Sequence, residues 1–513
     1  MRLMMIVPNY HCGGMEAVQG PLMNTGPLYA ASGALKTGHR VVFLDCTAEN
    51  LSLDGCMDRI GLEKPDVIGV AVRTHLANEA LRIVRETRRR FPKVRTLLGG
   101  IHATFMYREM MGDCPEVDFV IAGEAEAATG QLLDALAKGS PLEGVPGLVW
   151  RDAAGLRVNP GTGPLKDLDS YRPAYDLIPD WDLYRNHING ERSAVVQFSR
   201  GCVQKCRYCS QWKFWDTWRA CSPQVFADEA ARLYHEHGVR YFLMADESPQ
   251  ADADAWKGLL DALIAKDLKD AVFGTCARAK DILRDRELLP RYAQAGFRLM
   301  LLGAEFTANK TLKTVNKEQK LEDTALAVKS IQDAGMIAMV DIMLGWNNRE
   351  DEVAETLANL GGLSADYVCF FWTTPYPWTD SYKELMDQFG SAPAYDNWNF
   401  MTFFGKGVDQ KKAERELVKF YVRYHFSPGR FFKGWFGGPP ARRKLYRQMF
   451  RLGVRKSLAQ LFPGLSVLVA PKKSQVKAMH YCDPRNRWLS GSRMAEENRV
   501  GQGRAGPPFK TPA

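Results

Sequence analysis

Strand-like and helix-like runs alternate along most of this chain, in two blocks separated by one irregular connector. In residues 1–150 the apolar or β-branched runs are LMMIV, VVFLD, VIGVAV, TLLGG and VDFVIAG. Between them lie stretches such as LANEALRIVRETRRRF, whose apolar positions recur at three and four. Such alternation demands crossover connections, and so predicts an α/β fold with an open parallel sheet. Ligands of such sheets sit beyond the carboxyl ends of the strands. The glycine-rich pieces fall there: PNYHCGG after the first strand, GGIHAT after the fourth and GEAE after the fifth. Residues 151–190, rich in Pro, Gly and Asp, read as a linker with little regular structure. Residues 191–394 hold a second series, AVVQFS, VRYFLMA, AVFGTCA, LMLLGAE, IAMVDIMLG and YVCFFWT, with helices such as QVFADEAARLYHEH and TALAVKSIQDAG between. About six strand–helix units predict a partial (β/α)6 barrel, short of the closed eightfold form. Residues 395–480 read as a basic helical domain, and 481–513 as a disordered tail.

At 513 residues the chain exceeds what one core normally serves, consistent with several domains. No apolar run reaches the roughly 18–20 residues of a membrane span. The opening MRLMMIVPNYHCGG breaks at Pro8 without a small-residue cleavage site, and reads as a first strand, not a signal peptide. Eleven cysteines, scattered except for one cluster, suggest reduced thiols in a cytoplasmic setting. The net charge of +9 gathers between Lys406 and Lys456, where Phe420, Tyr421, Tyr424, Phe426, Phe431, Phe432 and Trp435 interleave with Lys and Arg. Such a stretch suits nucleic acid, anionic lipid or a carboxylated substrate, or is a solvated helical face.

The cysteine cluster lies in SRGCVQKCRYCSQWKFW, residues 199–215. A redox pair needs two thiols, and Cys202, Cys206 and Cys209 are three. A closed zinc site needs four ligands, which His187 or Cys221 would have to complete. A [4Fe–4S] cluster held by three thiolates keeps one iron open to an external ligand. The loop follows the strand AVVQFS directly, at the carboxyl end where barrels keep their catalytic parts.

A CxxxCxxC loop in this place resembles the radical S-adenosylmethionine superfamily. The resemblance implies that Cys202, Cys206 and Cys209 bind a [4Fe–4S] cluster whose open iron takes S-adenosylmethionine, and that reductive cleavage gives a 5′-deoxyadenosyl radical. It further implies S-adenosylmethionine contacts at Tyr208, Asp246, Glu247, Arg278 and Glu305, with DIMLGW (341–346) against adenine. An open sheet ahead of such a barrel is similar to the cobalamin-binding class, whose Rossmann-like domain holds the corrin. The implied cobalamin residues are Asn9, Tyr10, Gly13, Gly14, Thr74, His75, Gly99, Gly100, His102, Thr104, Gly123 and Glu124. The DxHxxG motif that supplies a cobalt-ligating histidine elsewhere is absent, so His102 is not assigned to cobalt.

PNYHCGGMEA, LLGGIHATFM, CSQWKFW, TPYPW and YDNWNF together resemble the anaerobic magnesium-protoporphyrin IX monomethyl ester oxidative cyclase family, across about residues 1–460. Val203 departs from it, standing where the family usually has proline. The resemblance implies oxygen-independent closure of the isocyclic ring, with oxygen from water, reduced flavodoxin or ferredoxin as donor, and a magnesium porphyrin as substrate. No residue beyond the cofactor ligands is assigned to catalysis. Trp212, Phe214 and Trp215 are expected to form an aromatic wall facing the macrocycle or shielding the cluster. Arg442, Arg443 and Lys444 are candidates for the substrate's propionate. Two alternatives share the motifs: a cobalamin-dependent radical methyltransferase and a non-catalytic cobalamin or iron–sulfur sensor. Nucleic acid is not an expected partner, and a peripheral membrane contact is left open.

Overall fold

The computed structural model describes residues 1–10, 20–390, 398 and 405–461. Its first sheet contains β1 (Arg2–Val7), β2 (Arg40–Asp45), β3 (Val67–Ala71), β4 (Arg95–Gly99), β5 (Phe119–Ile121), β6 (Leu148–Asp152) and β7 (Gly155–Val158). The spatial order is β2-β1-β3-β4-β5-β6-β7. The strands β1 to β5 pair in parallel, Leu3 lying against both Val41 and Val67. The chain steps from β1 to β2 on one side and then returns to β3 on the other. The strand order therefore reverses between β1 and β3, where a crevice opens at the carboxyl edge. Every residue of β3 is buried, as a central strand covered on both faces requires.

Helices Thr25–Lys36 and Glu126–Lys138 pack on one another at two glycines. A Cβ on Gly33 would fall 1.7 Å from the Glu126 carbonyl oxygen, and one on Gly130 would fall 2.7 Å from that of Gly33. No larger residue permits that approach.

The antiparallel hairpin β6–β7 carries the sheet to Val158, into the stretch expected to be irregular. The edge strand β7 has only Leu156 half-buried, so it lacks the alternation that marks a strand in sequence. The remaining connector is irregular but tied down. Tyr175 donates its hydroxyl to the Val195 carbonyl at 2.6 Å, and Tyr184 donates to Asp45 at 2.8 Å, strapping the second sheet to the first.

The second sheet is six-stranded, parallel and open: β8 (Arg192–Val196), β11 (Val239–Met244), β12 (Val272–Ala277), β13 (Phe297–Glu305), β14 (Ile337–Leu344) and β15 (Tyr367–Trp372), in the order β15-β14-β13-β12-β11-β8. It is the partial barrel expected. A two-residue ribbon, β9 (Ser199–Arg200) with β10 (Arg219–Ala220), brackets the cysteine loop. Met300, Leu302, Ala338 and Val340 join the main core under the crossover helices, while Leu299, Leu301, Ile337 and Met339 face the other way. On that concave side they meet Leu445, Tyr446 and Met449 of the last helix, Pro440–Leu461.

That helix corrects one expectation. Arg442 is 3% exposed; it donates to the Met336 carbonyl and pairs with Asp366, at the amino ends of β14 and β15. It closes the floor of the barrel, at the end opposite the cysteine loop. It is therefore unavailable to a substrate carboxylate. Among the described residues no helix is long and apolar enough to cross a membrane.

Candidate active site

The cysteine loop is held from three sides. The amide of Arg207 donates to the Val315 carbonyl at 3.0 Å, Gln204 Nε2 to that of Asn316 at 2.6 Å, and Asn316 Nδ2 back to that of Lys205 at 3.0 Å. Ser381 N reaches the Arg207 carbonyl at 3.1 Å. Entry to the loop needs Gly201 at φ +90°, where a Cβ would meet the Thr217 carbonyl oxygen at 2.4 Å. The Gln204 amide points at Cys202 Sγ, 3.4 Å away, a donor suited to a sulfur carrying charge.

Burial pushes the Cys209 thiol up to about 12 and raises that of Cys206, against which the Lys317 ammonium pulls. Thiols in such a place become thiolates only beside a strong positive centre, which iron supplies. Among the described residues no three Cys, His, Asp or Glu side chains converge tightly enough for a single metal ion. Three cysteines on one loop suit a [4Fe–4S] cluster with one iron left open.

Around the loop the expected S-adenosylmethionine contacts separate. Tyr208 packs edge-on against Phe306 and Trp346, at 6.2 and 6.3 Å, so DIMLGW reaches the loop through its tryptophan. Glu305 sits at the carboxyl end of β13 in a left-handed conformation, φ +65°, its carboxylate 3.0 Å from Lys317 Nζ. Burial works against the charge of Lys317, but Glu305 and Cys206 hold its pKa above the ordinary value. Arg278 is clamped on Asp281 by two hydrogen bonds of 2.7 Å. Asp246 turns inward: it accepts from the amides of Phe198 and Ser199 and from the Ser199 hydroxyl, bracing the turn into the loop. Glu247 faces the other way, accepting from Trp215 Nε1 at 2.7 Å and from Gly201 N at 3.3 Å. Burial raises Asp246 to about 6 and Glu247 to about 7.

A cavity of about 270 Å³ lies at the carboxyl edge of the first sheet, on the strand-order reversal. Gly99, Gly100, Gly123 and Glu124, four of the residues named above as corrin candidates, line it. At Gly99 and Gly123 a Cβ would meet nothing within 4 Å, so the bare backbone keeps the cradle open for a large flat ligand. The other wall comes from the segments at the carboxyl edge of the second sheet: Gln197, Arg200, Phe214, Trp215 and Glu247. The expected aromatic wall thus divides. Phe214 and Trp215, edge to face at 4.7 Å, border the cavity, while Trp212 donates its indole N–H to the Cys206 carbonyl at 3.0 Å.

Glu124 borders the cavity but its charge is engaged by Arg219 at 2.7 Å and Arg200 at 3.4 Å. The remaining candidates sit beside the cavity without lining it. Asn9 donates to the Leu51 carbonyl at 2.7 Å; the Tyr10 ring lies tilted against that of His75, 4.8 Å away; Thr74 and His102 Nδ1 are 3.3 Å apart; and Thr104 Oγ1 accepts from Gly123 N at 2.9 Å. Gly13 and Gly14 lie outside the described residues.

Three charged side chains at the candidate site escaped the sequence reading. Arg200, 2% exposed, pairs with Glu126 at 2.6 Å and lies over the rings of Tyr29 and Trp215. Lys317 faces Glu305 from a loop of ordinary lysines. Asp341 stands mid-strand on the concave face, its Oδ1 buried without a hydrogen-bond partner, and burial pushes it up to about 7. Of these, only an acid inside IAMVDIML was conspicuous in sequence.

Comparison with known proteins agrees with this division of the chain. Residues 14–133 match the B12 binding domain, and residues 196–360 match the Radical SAM superfamily. The anaerobic magnesium-protoporphyrin IX monomethyl ester cyclase of Rubrivivax gelatinosus is 30% identical over 98% of this chain and 91% of its own length. An uncharacterized methyltransferase of Pyrococcus horikoshii is 26% identical over 83% of this chain and 93% of its own. Among solved structures, the radical S-adenosylmethionine methyltransferase TsrM of Kitasatospora setae, with cobalamin and a [4Fe–4S] cluster bound, superposes with a TM-score of 0.67. That match has 16% identity and covers 88% of this chain and 99% of the other.

Proposed function

Given that this chain belongs to the cobalamin-binding radical S-adenosylmethionine enzymes, in the family of the anaerobic magnesium-protoporphyrin IX monomethyl ester cyclases, we propose that it closes the isocyclic ring of that porphyrin ester without dioxygen. Its cofactors are a [4Fe–4S] cluster, S-adenosylmethionine and cobalamin, and the first two together supply an organic radical when bound. The observation that carries the reading is the likeness to the Rubrivivax cyclase over nearly the whole of both chains, C-terminal helices included.

In this reading Cys202, Cys206 and Cys209 hold the cluster. Tyr208, Glu247, Arg278 and the Glu305–Lys317 pair bound the space beside it, Asp246 serving as a brace from behind. Gly99, Gly100 and Gly123 seat the corrin, and Phe214, Trp215 and Arg200 close over it. An aromatic pair with a guanidinium suits a flat, electron-rich macrocycle. A reduced flavodoxin or ferredoxin donates the electron.

The second reading is a cobalamin-dependent methyltransferase acting on a tetrapyrrole or another substrate, favoured by the near full-length match to the Pyrococcus methyltransferase. Anaerobic reconstitution with iron, sulfide and hydroxocobalamin, then assay with magnesium-protoporphyrin monomethyl ester in ¹⁸O-water, separates the two. The cyclase reading expects a product that gains one labelled oxygen and loses hydrogen. A product heavier by a methyl group, with two S-adenosylmethionine consumed per turnover, would establish the methyltransferase.

A further inference from the structure

The outer side of the C-terminal helices carries a pattern that neither the barrel nor the cofactors explain. From Leu417 to Leu461 the chain has eleven Lys or Arg and no Asp or Glu. Along the helix Gln410–His425, Val418, Val422 and Phe426 recur every fourth residue, 44, 52 and 55% exposed. On the next helix, Pro428–Phe436, Phe432 and Phe436 repeat the spacing at 58 and 59%, their rings stacked 5.9 Å apart. These five make up half of the large apolar side chains exposed among the described residues, so they form a concentration and not a scatter.

They are not spare core. The inner side of the same helices is already packed: Tyr424 and Gly434 are buried, and Phe431 and Trp435 gather on Phe450 at 5.5 and 5.7 Å, with the half-exposed ring of Phe426 at the border, 5.2 Å from Phe450. Arg423, Lys433, Lys444 and Arg451 stand exposed on these helices, and the nearest acid, Glu416, is paired with Lys419. A partner for this face must offer anions and an apolar interior together. A nucleic acid offers phosphates and bases, but Val418 and Val422 present no ring for a base to stack on. The boundary between headgroups and acyl chains offers both.

We propose that this face docks on an anionic lipid bilayer, with Phe432 and Phe436 entering the acyl boundary and Arg423, Lys433, Lys444 and Arg451 meeting the headgroups. The proposal is independent of the reaction: its readout needs neither cofactor nor substrate. The full chain is sedimented with vesicles of phosphatidylcholine alone or with one third phosphatidylglycerol, at low and high salt. Binding is expected only to the anionic vesicles, and is weakened by salt. The double variant F432S/F436S should lower the association constant at least about tenfold, since two buried rings are lost, with its thermal melt unchanged. A second variant, R423E/R451E, should lose the salt-sensitive part. Four results would overturn the proposal: equal binding to neutral vesicles, undiminished binding by F432S/F436S, displacement by single-stranded RNA, or a dimer that F432S/F436S dissociates while no vesicle is bound.

Discussion

On the concave face of β14, Asp341 lies near Cys276, Cys369, Glu305 and Lys317, and its raised pKa of about 7 reflects burial first and the Glu305 charge second. A carboxyl raised in the fold leaves stability intact below its ordinary range and lowers it as pH climbs through the folded value. His75 and His102, lowered by burial to about 3, act in the opposite sense, losing stability as pH falls below the ordinary histidine range. The difference between variant and parent isolates the acid. Asp341→Asn should gain stability relative to the parent between pH 5 and 8 in urea titrations of the cofactor-free chain, each tenfold preference for the proton being worth about 1.4 kcal/mol. A second prediction concerns Arg200. Arg200→Met leaves Glu126 without its buried cation, Glu124 keeping Arg219, and should cost about 3–5 kcal/mol in the same titration, Arg200→Lys recovering part of it. The cysteine loop stood out in sequence because its spacing is unusual, whereas the glycines of the first sheet were singled out only through the family resemblance. Lys317 was not, because its burial comes from the fold of a loop and leaves no mark in VNKEQK. The direction of Asp246 was equally hidden: two adjacent acids at a strand end look alike until the backbone turns one inward.

The strands β1 to β5 and the six of the second sheet were readable because they are mostly apolar, the central ones such as β1 and β3 being buried almost throughout. The hairpin β6–β7 was not, since its outer strand faces water. The short helix Gln211–Trp215 shows how one element serves two sites: Trp212 is turned toward the cysteine loop, Phe214 and Trp215 toward the cavity. Trp212→Phe keeps the ring but removes the hydrogen bond to Cys206. The chain should fold as before and lose its reconstituted cluster more quickly, seen as faster bleaching of the visible absorbance after desalting. Gly33→Ala acts through helix spacing. Its methyl has no room against the Glu126 carbonyl, so the two helices must separate, and a drop of several degrees in melting temperature is expected.

At the scale of the whole molecule, the two sheets are joined by Arg200 and Arg219 on the GEAE turn and by Trp378, which stacks on Phe105 at 4.9 Å. Hydroxocobalamin at a hundredfold excess over its dissociation constant should add about 2.7 kcal/mol to stability. Because both sheets wall the cavity, calorimetry should show the loaded chain melting in one transition where the empty chain melts in two. The fold halves were legible separately; their joint was not, since no residue of either half announces which face the other will cover. The two banks of the cavity, Gly99 and Gly123 on one side and Arg200 and Trp215 on the other, come from segments far apart in the chain, so the pocket exists as a whole only where both halves are folded and docked.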